Sequence, residues 1–91
     1  MTQSGKLARI FKVLSVETRV RMLNLLKRRS LCVNALAREL DITPAAISQH
    51  LRILRDAEIV VAEKRGYFVH YRVNKKNLAK WNEVARGLFE D

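Results

Sequence analysis

Leu7, Ile10, Phe11 and Leu14 recur at three- and four-residue spacings, the stripe of an amphipathic first helix whose other face is basic. A second helix is expected over residues 17–29, with Val16, Val20, Leu23 and Leu26 toward a core, Glu17 in the first turn and "KRR" at the C-terminal end, where cations suit the helix dipole. A third, short helix spans about residues 34–40 on Leu36, Ala37 and Leu40, and "DIT" then breaks the period. Thr43 and Pro44 open a fourth. A threonine hydroxyl caps free backbone N–H groups, and proline fits the first helical position because its missing N–H costs nothing there.

After "DAEI" the helical period stops. "VVAEKRGYFVHYRV" alternates as a β-hairpin, with Lys64, Arg65 and Gly66 at its tip; Tyr67, Val69, Tyr71 and Val73 fall on one face, and Phe68, His70 and Arg72 on the other. The last segment, "KKNLAKWNEVARGLFED", returns to a helical stripe of Leu78, Trp81, Ala85 and Leu88, with Val84 and Phe89 alongside. No repeat, linker or low-complexity tract interrupts this order, so residues 1–91 are expected to form one domain.

Charge sharpens the picture. Eighteen Lys and Arg against nine Asp and Glu give 91 residues a formal net charge of +9, which predicts attraction to a polyanion, nucleic acid first. No apolar run is long enough to span a membrane, and "MTQSGKLARIFKVL" lacks the features of a signal peptide. One cysteine, Cys32, cannot form an intrachain disulfide, which fits a reducing, cytoplasmic compartment. No nucleophile, base and orienting acid occur as a recognisable set, and there is no Gly-rich phosphate loop, so an enzyme is not expected. A chain this short buries a modest core. The first and last helices, through Leu7, Ile10, Phe11, Leu14, Leu78, Trp81, Ala85 and Leu88, therefore either form a homodimer interface or complete the protomer's own core.

"LARELDITPAAISQHLRILRDA" has the layout of a helix-turn-helix, two helices joined by a short turn. At about 100° per residue, Ile47, Leu51 and Leu54 cluster on the inner side of the fourth helix, while Ala45, Ser48, Gln49 and Arg52 lie opposite. Gln49 can pair with adenine and Ser48 with either base type, while Arg52 and Arg55 suit phosphates. A lone glutamine on a surface helix is ordinarily just solvated. Combined with the cap at Thr43, the turn and the charge, DNA contact is the stronger reading. The basic-tipped hairpin then reads as a wing touching the backbone of an adjacent groove, or else as a plain hairpin whose charges serve solubility. A module of this kind binding RNA or a protein is the alternative function. His50 sits at the edge of the apolar stripe, the place of a half-buried imidazole hydrogen-bonded within the domain.

The stretch over residues 14–73 resembles the ArsR/SmtB family of prokaryotic winged-helix transcriptional repressors, most specifically in the "TR" opening the second helix, "LCV" before the third, "ISQHL" in the fourth and "GYFVHYRV" in the wing. The resemblance implies a mostly α fold with a small hairpin, a short strand before the third helix, and a homodimer built on the terminal helices. It implies no cofactor, and a repressor that leaves a palindromic operator when an effector binds. Carried over by position, DNA contact falls at Ser48 and Gln49 and at the wing's Lys64 and Arg65. Two metal sites known in the family find no match. Where one has a Cys-x-Cys pair, this chain reads Cys32, Val33, Asn34, and an amide oxygen is a poor ligand for a soft ion. The other needs histidine in the last helix, and residues 75–91 contain none. Cys32 is then either a small buried hydrophobe or a redox-responsive thiol activated by the nearby helix N-terminus.

Overall fold

The computed structural model describes residues 2–90 and orders them as α1 (Gln3–Val13), α2 (Glu17–Leu26), β1 (Leu31–Cys32), α3 (Val33–Leu40), α4 (Pro44–Asp56), β2 (Val60–Arg65), β3 (Phe68–Val73) and α5 (Lys75–Phe89). The strands form one antiparallel sheet in the order β1-β3-β2, so the two-residue β1 extends the hairpin on its β3 edge. Helices α2, α3 and α4 cover its inner face. Met22, Leu36, Ile47, Leu51, Leu54, Ile59 and Val60 are the most completely buried side chains, and Ile10, Val13, Leu31 and Val73 close the core around them.

Helix α2 is shorter than the expected 17–29. It stops at Leu26, with Lys27 as its C-cap, and "KRR" lies in the turn beyond, where Arg29 pairs with Glu39 of α3 at 3.5 Å. Its buried face is also rotated. Met22 is fully enclosed, whereas Val20, expected in the core, is 40% exposed.

Both helices of the helix-turn-helix end the same way. Asp41 after α3 and Glu58 after α4 have φ of 54° and 59°. In each case a pair of backbone bonds closes the end: Asp41 N–H to Arg38 and Ile42 N–H to Ala37, then Glu58 N–H to Arg55 and Ile59 N–H to Leu54. This is the Schellman arrangement, which satisfies carbonyls that a helix end leaves free. Two residues after the first of these bends, the Thr43 hydroxyl oxygen accepts from Ala46 N–H at 3.2 Å, capping α4 beside Pro44. The direction of α4 relative to α3 is thus fixed by local backbone chemistry as well as by the core.

At its other end the hairpin is bolted to α5. Asn74 N–H donates to the Ile59 carbonyl at 2.8 Å, the Asn77 side-chain amide donates to the Glu58 carbonyl at 2.9 Å, and the Asn74 side chain caps α5 by accepting from Asn77 N–H at 3.2 Å. No helix among the described residues is long and apolar enough to cross a membrane.

Candidate nucleic-acid interface

Ile47, Leu51 and Leu54 hold α4 down, each no more than 2% exposed. The opposite side is free: Ala45, Ser48, Gln49, Arg52 and Arg55 are all exposed, and the Thr43 cap lies at the same end as Ala45. Ser48, Gln49, Arg52 and Arg55 line a cleft whose other wall is Tyr71 of β3. A helix presenting short polar groups at its N-terminal end and guanidinium groups further along has what major-groove reading requires: base-edge donors and acceptors first, phosphate partners flanking.

The wing brings its cations to the site differently from the sequence expectation. The loop is Gly66 and Tyr67, and Lys64 and Arg65 belong to β2, paired with Val69 and Phe68. Gly66 has φ of +63° and Tyr67 does not share it, the pattern of a type II′ turn, which places glycine first. Because strand residues alternate faces, Lys64 shares the α4 side with Ala62 and Tyr71, while Arg65 points to the outer side with Glu63 and Arg72. There Glu63, the hairpin's one acid, accepts from Arg65 at 3.3 Å and pairs with Arg72 at 3.6 Å. All three groups are about half exposed, so the pairs stabilise little and leave the guanidiniums able to meet a phosphate. The alternation that sets Tyr71 on the same face as Val73 marks Tyr71 in the sequence, whereas the Glu63 cluster with Arg65 and Arg72 emerges only from the strand register.

Behind α4, Arg19 of α2 donates from Nε to His50 Nδ1 at 3.2 Å and from an η nitrogen to the Val13 carbonyl at 3.0 Å. The imidazole is half-buried, and its pKa lies below the usual range, first because burial disfavours its charged form and second because the Arg19 guanidinium repels it. His50 is therefore a structural acceptor, turned toward α2 about 100° around α4 from Gln49.

The profile of the bacterial regulatory proteins of the arsR family matches residues 17–61, the span from α2 into β2. The chain is 35% identical over 65 residues to the transcriptional repressor SdpR of Bacillus subtilis (strain 168), covering 71% of this chain and 72% of that protein. It is 32% identical over 91 residues to a transcriptional repressor SmtB homolog of Synechocystis sp., covering 99% and 69% respectively. This chain belongs to the ArsR family. An ArsR-like transcriptional regulator from Rhodococcus sp. RHA1 has the same fold, with a TM-score of 0.84 at 30% identity over 93% of this chain and 80% of that one. The ArsR-family assignment makes the helix-turn-helix and wing the DNA-binding unit of a transcriptional regulator, a family of regulators and not of enzymes.

Within this ArsR-family chain the terminal helices divide the apolar stripe. Leu7 and Ile10, expected either at a subunit interface or in the chain's own core, are buried within the chain, 8% and 6% exposed, on the one side of α1 that packs inward. Leu14, Leu78 and Trp81 pack partly against the core, and Ala85 is half-buried. Phe11, Leu88 and Phe89 stay open, and the rings of Phe11 and Phe89 lie 6.5 Å apart across α1 and α5. Helix α5 contributes no fully buried residue. Cys32, at the α3 N-cap, is half-buried and directly opposite His70 in the β1–β3 register, so it is neither a core residue nor a freely exposed thiol. Among the described residues no three His, Cys, Asp or Glu side chains are grouped as a metal site.

Proposed function

We propose that this ArsR-family regulator is a homodimeric repressor that reads a palindromic duplex operator through α4 and the wing, and that its signal is not a metal at either of the two sites known in the family. The carrying observation is the division of α4: a wholly buried Ile47, Leu51 and Leu54 side against an exposed row of Ser48, Gln49, Arg52 and Arg55. The first set fixes the helix; the second is free to enter a major groove. Thr43 and Ala45 bring the helix N-terminus up to the backbone, and Lys64 and Arg65 add wing contacts to phosphates.

The open apolar cluster of Phe11, Leu88 and Phe89 supports the dimer, since exposed aromatic side chains of this size are anchors of subunit interfaces. A two-fold pair of α4 helices would meet half-sites about 34 Å apart. Asn34 in place of a second thiolate, and a last helix without histidine, support the absence of the family's metal chemistry.

Selection of bound sequences from random duplex DNA tests the reading. A two-fold symmetric site with half-sites one turn apart is the expected result. Enrichment of an asymmetric site bound by one protomer, or preference for single-stranded RNA over duplex DNA, overturns it.

A further inference from the structure

The hairpin ends in side chains that nothing in the protomer covers. Tyr67 is 101% exposed, Phe68 62% and Val69 42%, three consecutive large apolar residues at the outermost point of the wing. Solubility does not call for them, because aromatic surface left in water carries the full cost of its hydration. Cations stand behind them: Lys64 on one face of the hairpin and Arg65 on the other next to the tip, with Arg72 further toward the root and Glu63 between the two arginines. An apolar tip between cationic shoulders has the shape of DNA's minor groove in negative, where phosphates form the rims and sugars and base edges form the interior.

We propose that Tyr67 and Phe68 form an apolar wedge that enters the minor groove next to the major groove read by α4 and bends the duplex there. The proposal rests on the DNA-binding reading above and adds to it a contact that is not ionic. Reach permits it. Six paired residues at about 3.3 Å each carry the tip about 17 Å from the hairpin root, and the groove adjoining a major groove lies half of a roughly 34 Å turn away. Apolar side chains inserted at a base step partly unstack it and kink the duplex toward the major groove. Such a bend would fold the DNA around the protein and bring the Arg65 and Arg72 side of the wing against further phosphate.

The test uses the full chain and a short duplex carrying its selected site, labelled at both ends for energy transfer. Binding by the native protein is expected to raise the transfer efficiency, as a bend of about 20 to 90° shortens the end-to-end distance. The Tyr67→Ala/Phe68→Ala double variant is expected to restore the efficiency of straight DNA and to bind about tenfold more weakly, the scale of one lost aromatic contact with a base. Its salt dependence should match the native protein's, because no phosphate partner has been removed. Both side chains are solvent-exposed, Tyr67 in the turn and Phe68 at the first position of β3, so the variant keeps the folded core. An unchanged bend and affinity in the double variant overturn the wedge and leave DNA binding standing. A flattened salt slope overturns it too, since the loss would then be ionic. Failure of the native protein to bind any duplex overturns both readings.

Discussion

Arg19 and His50 are joined by a 3.2 Å hydrogen bond between α2 and α4, and the same guanidinium reaches the last carbonyl of α1 at Val13. One side chain thus ties three helices together behind α4. The bond requires His50 to be neutral with its proton on Nε2, since Nδ1 is the acceptor.

A pH dependence follows with a definite sign. The folded pKa of His50 is lowered by burial first and by Arg19 second, so between the free-imidazole value of about 6.5 and that lowered value the unfolded chain binds more protons than the folded one. Its contribution to stability is complete above about pH 6.5 and is lost as pH falls through that window. His50→Gln keeps an acceptor for Arg19 without titrating, and its melting temperature should decline less than the native protein's from pH 7 to pH 5. Superimposable profiles would remove His50 as the cause.

Gln49→Ala should weaken binding to the selected operator by roughly 1 to 3 kcal/mol while leaving affinity for random duplex unchanged. Titration of both DNAs by fluorescence anisotropy checks it, and an equal loss on each rules out base reading by Gln49.

On the wing, changing Lys64 and Arg65 together to Ala should lower affinity for every duplex and flatten the logarithmic salt slope by up to about 2. Glu63→Gln acts in the opposite direction. With its two guanidinium partners released, affinity for specific and random DNA alike should rise by up to about fivefold, the scale of an exposed ion pair. No change in either variant would take the outer face of the wing out of the complex.

The division of the terminal helices separates assembly from folding. Phe89→Ser should shift sedimentation toward monomer with little loss of helical content, because Phe89 is 77% exposed in the protomer. Trp81→Ala should instead lower the melting temperature at any protein concentration, because Trp81 packs on the protomer core. A Phe89 variant that sediments as the native protein does would move the interface elsewhere.

Glu58 holds a left-handed conformation that a Cβ disfavours by roughly 1 to 2 kcal/mol. Glycine removes that cost at some expense in chain entropy, so Glu58→Gly should stabilise the fold by about 1 kcal/mol, read from urea unfolding. Destabilisation would mean that the Glu58 side chain makes a contribution of its own.

Helix α4 is legible in the sequence because its signals are local: the Thr43 cap, Pro44 and the spacing of Ile47, Leu51 and Leu54 all act within one turn or two. The end of α2 is less so, since "KRR" suits a helix C-terminus and a turn equally, and the helix stops where its buried face stops, at Leu26. The hairpin's alternation is legible but not its turn. Glycine at position 66 fits a tip centred on Arg65 or one shared with Tyr67, and strand register decides for the latter. The stripe on α1 shows that Leu7, Ile10 and Phe11 face something apolar, yet a helical wheel cannot say whether that is the same chain or another. The Arg19–His50 bond and the Glu63 cluster join residues brought together by tertiary packing or strand pairing, which spacing along one element does not reveal.

The two hydrogen bonds that bolt Asn74 and Asn77 to the hairpin root have a mechanical meaning. Hairpin and last helix meet at a stiff elbow, one arm about 17 Å long and the other, of 15 residues, about 22 Å. A tilt of about 4° in α5, small beside the ordinary scatter of helix packing angles, swings the wing tip by about 1 Å. Whatever grips the far arm of that elbow also steers the tip of the hairpin.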